Sequence, residues 1–246
     1  MMTRIPIIYY HNVVKEDGFS YQRITADHFE GQMRYIAEHG YRTLFFSELE
    51  QPLPERPLIV SFDDGFRSVF ENAAPILHEY SIRSNIYLPT AYIGQDSHFM
   101  DWDMVRKLRD SGEFEMQAHT HTHADIRTMS AAQLSEEIAD SDRLFREELG
   151  SVPQAFCMPF GVWNYASLKR LKNEGRYRYL LGSHYGRALL NGREPMLLPR
   201  IGISQDDNLD VFRGKISGRY DWKGPLQLAR LMAGNLRGAR ITEYTY

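Results

Sequence analysis

Pro57-Leu58-Ile59-Val60-Ser61-Phe62-Asp63-Asp64-Gly65 runs from an apolar segment directly into two carboxylates and a glycine. The apolar part has no polar alternation, the pattern of a strand covered on both faces. Segments 5–10, 41–46, 84–89, 114–119, 155–160, 179–184 and 198–204 are further strand candidates, most of them apolar without strict alternation. Helical patterns lie between them. Thr25 is expected to cap a helix carrying Phe29, Met33 and Ile36 that stops at Gly40. Ser130 with Gln133 forms a capping box for a helix burying Leu134, Ile138 and Phe145, ended by Gly150. Segments 66–80, 101–111 and 165–174 are further helices. Repeated strand-then-helix order predicts parallel strands with crossover helices, in one α/β domain built as a full or incomplete β/α barrel.

Composition narrows the function classes. The chain has 246 residues, 43% hydrophobic and 25% charged, with net charge −3, so no overall basic field attracts nucleic acid. The single cysteine, Cys157, has no partner for an internal disulfide and fits a reducing compartment. No signal peptide pattern opens the chain, and no run approaches the roughly 20 apolar residues of a spanning helix. With residue 1 as the start, the expected location is the cytoplasm.

The chemistry gathers at strand ends. His11 follows the first strand, Asp63 and Asp64 the 57–62 strand, and His119, His121 and His123 close 114–119. Pro159-Phe160-Gly161 ends 155–160, and His184 ends 179–184. In a parallel barrel all these ends share one mouth. Adjacent Asp63 and Asp64 would point apart on an extended chain, but Gly65 permits a turn that brings both into one pocket. The division of labour expected of two close carboxylates is one ligand and one base. A plain surface turn is the competing reading. On an extended segment the three histidines would share one face; on a turn the outer pair can bite while His121 points away. One Asp and two His suit a divalent cation with open positions for water and substrate. Such a cation brings water's pKa from 15.7 down to about 7.

Ser61-Phe62-Asp63-Asp64-Gly65 resembles the first motif of the polysaccharide deacetylases, the NodB-type carbohydrate esterase family 4. His119-Thr120-x-x-His123 resembles their second motif, and Met158-Pro159-Phe160-Gly161 the end of their third. The opening Ile7-Ile8-Tyr9-Tyr10-His11-Asn12-Val13, the helix start Asp101-Trp102-Asp103 and the late Leu198-Pro199-Arg200-Ile201 are similar to the branch acting on bacterial exopolysaccharides such as poly-N-acetylglucosamine. The resemblance covers residues 5 to 204 and implies an irregular (β/α)7-type barrel with its active site at the C-terminal strand ends.

It implies roles as well. Asp63 would be the general base, and Asp64, His119 and His123 the ligands of a divalent metal, Zn2+ above Co2+, Ni2+ or Fe2+. Thr120 would brace the histidine loop through a hydrogen bond. The backbone near Pro159, Phe160 and Gly161 would stabilise the oxyanion. A histidine would protonate the departing amine: His184 by position, or His11. Cys157 stands where many members carry an arginine that orients the base, and Arg200 is the candidate replacement. Trp102 would wall the sugar groove, or pack inward with Val105 and Leu108.

The implied reaction removes N-acetyl groups from N-acetylhexosamine units of an exopolysaccharide or its lipid-linked precursor. O-acetyl ester hydrolysis, deformylation, a non-haem iron oxygenase and a catalytically silent glycan-binding protein are the rivals. The catalytic domain would span 1–222, with a helical extension at 223–246. In that extension, a helix over 225–237 would start at Pro225 and place Leu226, Leu228, Met232, Ala233 and Leu236 on one side, with Arg230 and Arg237 opposite. It either docks on the barrel or rests on an anionic membrane.

Overall fold

The structure, a computed structural model, describes residues 4–15, 22–190 and 196–236, the last six of these by their backbone. Eight strands make a curled parallel sheet: β1 (Ile7–Tyr10), β2 (Pro57–Phe62), β3 (Ser84–Leu88), β4 (Phe114–Ala118), β5 (Ala155–Cys157), β6 (Tyr179–Leu181), β7 (Met196–Leu198) and β8 (Ile201–Gly202). Their spatial order is β7-β6-β5-β4-β3-β2-β1-β8. Arg42–Thr43 adds a short parallel ladder beside β2.

The two outermost strands belong to one segment. Residues 198–204, expected as a single strand, divide at Pro199 and Arg200. Met196–Leu198 pairs with β6, whereas Ile201–Gly202 pairs with β1 at the opposite edge. Proline brings no N–H to a ladder, and the Arg200 N–H donates to His184 O at 3.1 Å. Two residues of chain therefore join the sheet edges where a closed barrel would have a ladder. The expected strand at 41–46 is likewise confined to Arg42–Thr43, with a 3-10 turn over Phe46–Glu48.

Both faces of the sheet are apolar because each meets its own core. Successive strand residues face opposite sides. Ile7, Ile59, Tyr87, Cys157, Tyr179 and Leu181 pack together inside the curl, with Leu44 and Phe46. Ile8, Val60, Phe62, Ile86 and Leu88 face outward against helices. Burying each aliphatic side chain contributes about 1.5–3 kcal/mol, which favours apolar residues on both faces; β4 departs from this with Glu115 and Gln117, which are hydrogen-bonded.

The crossover helices are α1 (Ala26–Glu38), α2 (Ala74–Glu79), α3 (Trp102–Asp110), α4 (Ala131–Leu149) and α5 (Tyr165–Glu174), followed by α6 (Leu209–Ser217) and α7 (Lys223–Leu236). Thr25 occupies the N-cap of α1 but makes no side-chain cap bond; the helix is held by fully buried Phe29, Met33 and Ile36. The capping box of α4 forms as expected, and Gly150 ends the helix at φ 67°. The 66–80 helix is broken into a π-helical turn over Val69–Ala73 and the shorter α2.

Helix α7 begins at Lys223, two positions before the expected start. Its Gln227 Oε1 accepts the Tyr185 N–H at 2.7 Å, and Leu228 packs against the cluster under α4 and α5. Leu226, expected on the packed side with Leu228, is instead 53% exposed. The side chains of Met232, Ala233 and Leu236, and all of Arg237, lie outside the described residues. No described helix is long and apolar enough to cross a membrane.

Candidate active site and metal centre

Strand register aligns the chemistry. Tyr10 pairs with Phe62, Leu88 with Ala118, and Cys157 with Leu181, so the next residues emerge together at one mouth. The Asp63 N–H donates to Tyr10 O at 2.9 Å, and the His119 N–H to Leu88 O at 3.3 Å. Each carries its side chain just past the last ladder pair.

The turn after β2 is sharper than a glycine alone would make it. Asp64 itself sits at φ 70° and Gly65 at φ 65°. This left-handed pair cancels the strand alternation that would send Asp63 and Asp64 to opposite faces. A Cβ on Gly65 would lie 2.9 Å from Ile93 Cδ1 and 3.0 Å from Leu88 Cδ2, so the turn is also packed shut.

Asp63 and Asp64 take different environments. Asp63 receives both arms of the Arg200 guanidinium, Nη1 to Oδ1 at 2.7 Å and Nη2 to Oδ2 at 2.9 Å. Arg200 is itself buried, lying 4.2 Å over the Tyr9 ring and 5.3 Å over the Tyr87 ring, and its Nε donates to Gly182 O at 3.3 Å. Burial alone would raise the Asp63 pKa, but the charge and hydrogen bonds of Arg200 bring it below the ordinary value. The structure thus puts Arg200 where the third-motif arginine was missing. It comes from the broken end of β7, on the far side of the sheet. Cys157 Sγ sits 4.0 Å from Asp63 Oδ2, and burial keeps its pKa raised, so it stays a thiol.

Asp64 faces the histidines. Its Oδ1 lies 3.4 Å from His119 Nε2 and 3.3 Å from His123 Nε2. His119 Nδ1 is 2.8 Å from Cys157 O and donates to that carbonyl, which aims Nε2 at Asp64; burial lowers the His119 pKa, but Cys157, Asp64 and Asp63 raise it well above the ordinary value. His123 is lowered to about 4, first by burial and then by His119, and is neutral at pH 7. Asp64 is held well below the usual carboxylate range although burial opposes this, because His119, His11 and His123 surround it.

These three residues fit a divalent cation. Asp64 Oδ1 is buried and has no hydrogen-bond partner among the described residues. An anionic oxygen so placed, with two imidazole Nε2 atoms beside it, is a donor set that suits a divalent cation. A second group, Asp63 with His119 and Cys157, also clusters closely enough for a metal. It fits less well: Arg200 occupies both Asp63 oxygens and the thiol is protonated.

The loop carrying the ligands is strained. Thr120 at φ 64° and His123 at φ 55° are left-handed without being glycine, which costs roughly 1–2 kcal/mol at each. The Thr120 hydroxyl, expected to brace the loop, is buried and has no hydrogen-bond partner among the described residues. Other groups hold the loop. Glu137 Oε2 accepts the His121 and Thr122 N–H groups at 2.8 Å each, and Glu137 Oε1 accepts the Thr122 hydroxyl at 2.7 Å. His121 turns away from the ligand cluster, with Thr90 Oγ1 hydrogen-bonded to its Nδ1 at 2.9 Å.

The remaining candidates divide. His11 Nε2 is 4.0 Å from both Asp63 Oδ2 and Asp64 Oδ2, which places it between the carboxylates. His184 has an unpartnered Nδ1 among the described residues and is lowered to about 4 by burial. Phe160 stands at φ 58°, is 57% exposed, and meets His123 edge-on at 4.7 Å. Pro159 has no N–H and Gly161 donates its own to Met158 O at 2.8 Å, so Phe160 holds the third motif's remaining donor. Gly161, at φ 63°, is required there because a Cβ would fall 2.2 Å from the Ser183 side chain. Trp102 packs against the outer core beneath α3. Other aromatics extend from the site: Tyr92 lies 6.0 Å from His123 and 4.8 Å from Phe99, which stacks on Phe66 at 5.3 Å.

Glu137, Thr90 and Tyr92 were missed in the sequence. Glu137 sits in an ordinary charged helix and carries no local signal. Arg200 had a signal in Pro199, which marks a strand break immediately before it.

The polysaccharide deacetylase family profile matches residues 50–179. The chain is 25% identical over 178 residues to YxkH of Bacillus subtilis, covering 70% of this chain and 62% of that one. It thus spans less than two thirds of that relative. Over 202 residues it is 24% identical to the poly-beta-1,6-N-acetyl-D-glucosamine N-deacetylase of Staphylococcus aureus, covering 74% of this chain and 68% of that one. The structure of the Streptococcus pyogenes deacetylase PplD superposes with a TM-score of 0.80 at 19% identity, covering 88% of this chain and 99% of that one. That likeness establishes the fold.

Proposed function

The chain belongs to the polysaccharide deacetylase family, and from this premise we propose that it hydrolyses N-acetyl groups on N-acetylhexosamine units of a bacterial exopolysaccharide, free or lipid-linked. The observation that carries the reading is the convergence of Asp64 Oδ1 on His119 Nε2 and His123 Nε2, with Asp63 beside them on Arg200. The similarity to a poly-N-acetylglucosamine deacetylase supports the substrate class.

Asp64, His119 and His123 would hold a divalent cation, which supplies Lewis-acid polarisation and makes water acidic enough to react near neutral pH. Asp63 takes the proton of the attacking water as its oxygen bonds the acyl carbon. Arg200 keeps Asp63 ionised for this, at some loss of basicity. The Phe160 N–H donates to the developing oxyanion. His11, between the carboxylates, gives a proton to the amine as the C–N bond breaks, and acetate and a free amine leave. His184 suits the acid role less well, because burial keeps it neutral at pH 7.

Acetate release from β-1,6-linked N-acetylglucosamine oligomers tests the reading. Chelation should abolish release, and one equivalent of Zn2+ or Co2+ should restore it. Release that survives chelation would sink the metal role. No release with metal bound at one equivalent would turn the reading toward another acylated glycan or a binding role.

His11→Ala should lower kcat by roughly 10^2- to 10^4-fold, the usual range for a positioned acid or base, with KM little changed. His184→Ala should lower it far less. The reverse order in steady-state kinetics would give the acid role to His184.

A further inference from the structure

We propose that Glu137 is the positioning residue of the site: a clamp reaching from α4 that sets the ligand loop so that His119 and His123 converge on Asp64. The proposal rests on the metal reading above. Three observations carry it. The loop holds two non-glycine residues in left-handed conformations, Thr120 and His123, so it does not adopt this shape by local preference. The hydroxyl within the loop that could brace it, Thr120 Oγ1, has no hydrogen-bond partner among the described residues. Glu137 meets the middle of the loop with three bonds, accepting the His121 N–H, the Thr122 N–H and the Thr122 hydroxyl.

The clamp closes from two sides. Opposite Glu137, the residues after β3 hold the same turn: the Ala91 N–H donates to His121 O at 2.8 Å, and Thr90 Oγ1 is bonded to His121 Nδ1. His121 is thereby turned out of the cluster that His119 and His123 form with Asp64. Glu137 touches neither ligand and sits in a solvent-facing stretch of α4 with Glu136 and Asp140. Its effect passes through the backbone of residues 121 and 122.

The chemistry of the carboxylate suggests a rescue. In Glu137→Gln the amide oxygen can accept both N–H groups, while the amide nitrogen donates to the Thr122 hydroxyl, which accepts instead of donating. Glu137→Ala loses all three bonds. The test is Co2+ and Zn2+ affinity by chelator competition, with the Co2+ absorption spectrum, melting temperature and amide hydrogen exchange over residues 119–123 of the metal-free protein. Glu137→Ala should bind metal about 10- to 100-fold more weakly, the range for lost outer-shell partners, with an altered Co2+ band and faster exchange at His121 and Thr122. Glu137→Gln should return affinity to within about threefold and recover the band. Unchanged affinity and spectrum in Glu137→Ala would overturn the proposal, as would a Gln variant as weak as Ala. If the unsubstituted protein binds no metal, the metal reading fails by itself. Exchange then still decides the clamp: unaltered protection of His121 and Thr122 in Glu137→Ala overturns it.

Discussion

Asp63→Asn should lower kcat for acetate release by on the order of 10^3-fold while the protein still binds one equivalent of metal. The substitution keeps the shape of the side chain and removes the charge that accepts water's proton. Asp64, His119 and His123 are untouched, so metal affinity should move by no more than a few fold. An amide also presents an NH2 group to one arm of Arg200, donor against donor, and leaves that buried guanidinium without its counter-charge, so a marked fall in melting temperature should accompany the kinetic loss. The decisive comparison is kcat against metal stoichiometry in the same preparation. A variant within tenfold of the parent would remove Asp63 from the base role. Loss of metal together with activity would make Asp63 a ligand, as in the alternative cluster with His119 and Cys157.

Arg200→Met should destabilise the fold by about 3–5 kcal/mol at pH 7, because it leaves Asp63 buried without its counter-charge. The Asp63 side chain is 5% exposed and that of Arg200 1%, so solvent screens the pair little. The pH dependence has a definite sign. With its folded-state pKa below the ordinary value, Asp63 contributes stability that is complete above the unfolded carboxylate pKa. That contribution is lost as pH falls through the lowered folded value. Without Arg200 the main opposition to burial is gone, only His119 and His11 still act against it, and the Asp63 pKa rises, so protonation relieves the folded variant. The deficit in urea unfolding should therefore be largest near neutral pH and narrow toward pH 4. A deficit below about 1 kcal/mol, or one independent of pH, would show that the pair is not the linkage the buried geometry implies.

Arg200 also marks where sequence reading stops. The fold was legible because most strand positions on both faces meet an apolar core, so 5–10 and 57–62 stand out as almost wholly apolar runs, whereas 114–118 alternates through Glu115 and Gln117. The candidate site was legible because a parallel sheet brings its strand ends to one mouth. Register therefore brings His11, Asp63 and His119 to one mouth, with Asp64 and His123 close behind them in the chain. Their spacing in the chain already limited the chemistry to carboxylates and imidazoles beside one another.

What the tertiary structure decided is which groups pair. Adjacent aspartates are equivalent in sequence; a left-handed Asp64 and a guanidinium from 137 positions away give them different surroundings, Asp63 on Arg200 and Asp64 on the histidines. The split of 196–202 between opposite edges of the sheet delivers that guanidinium, and no local propensity encodes it. Thr120 is the expected brace because the family resemblance implies it. The packed loop leaves it unpartnered and takes its support from Glu137 instead. Apolar periodicity and strand-end chemistry are properties of neighbouring residues, so the sequence by itself determined the barrel and the inventory of its mouth. Charge pairing, left-handed backbone and loop support are set by contacts between distant segments, and only the folded chain assigns them.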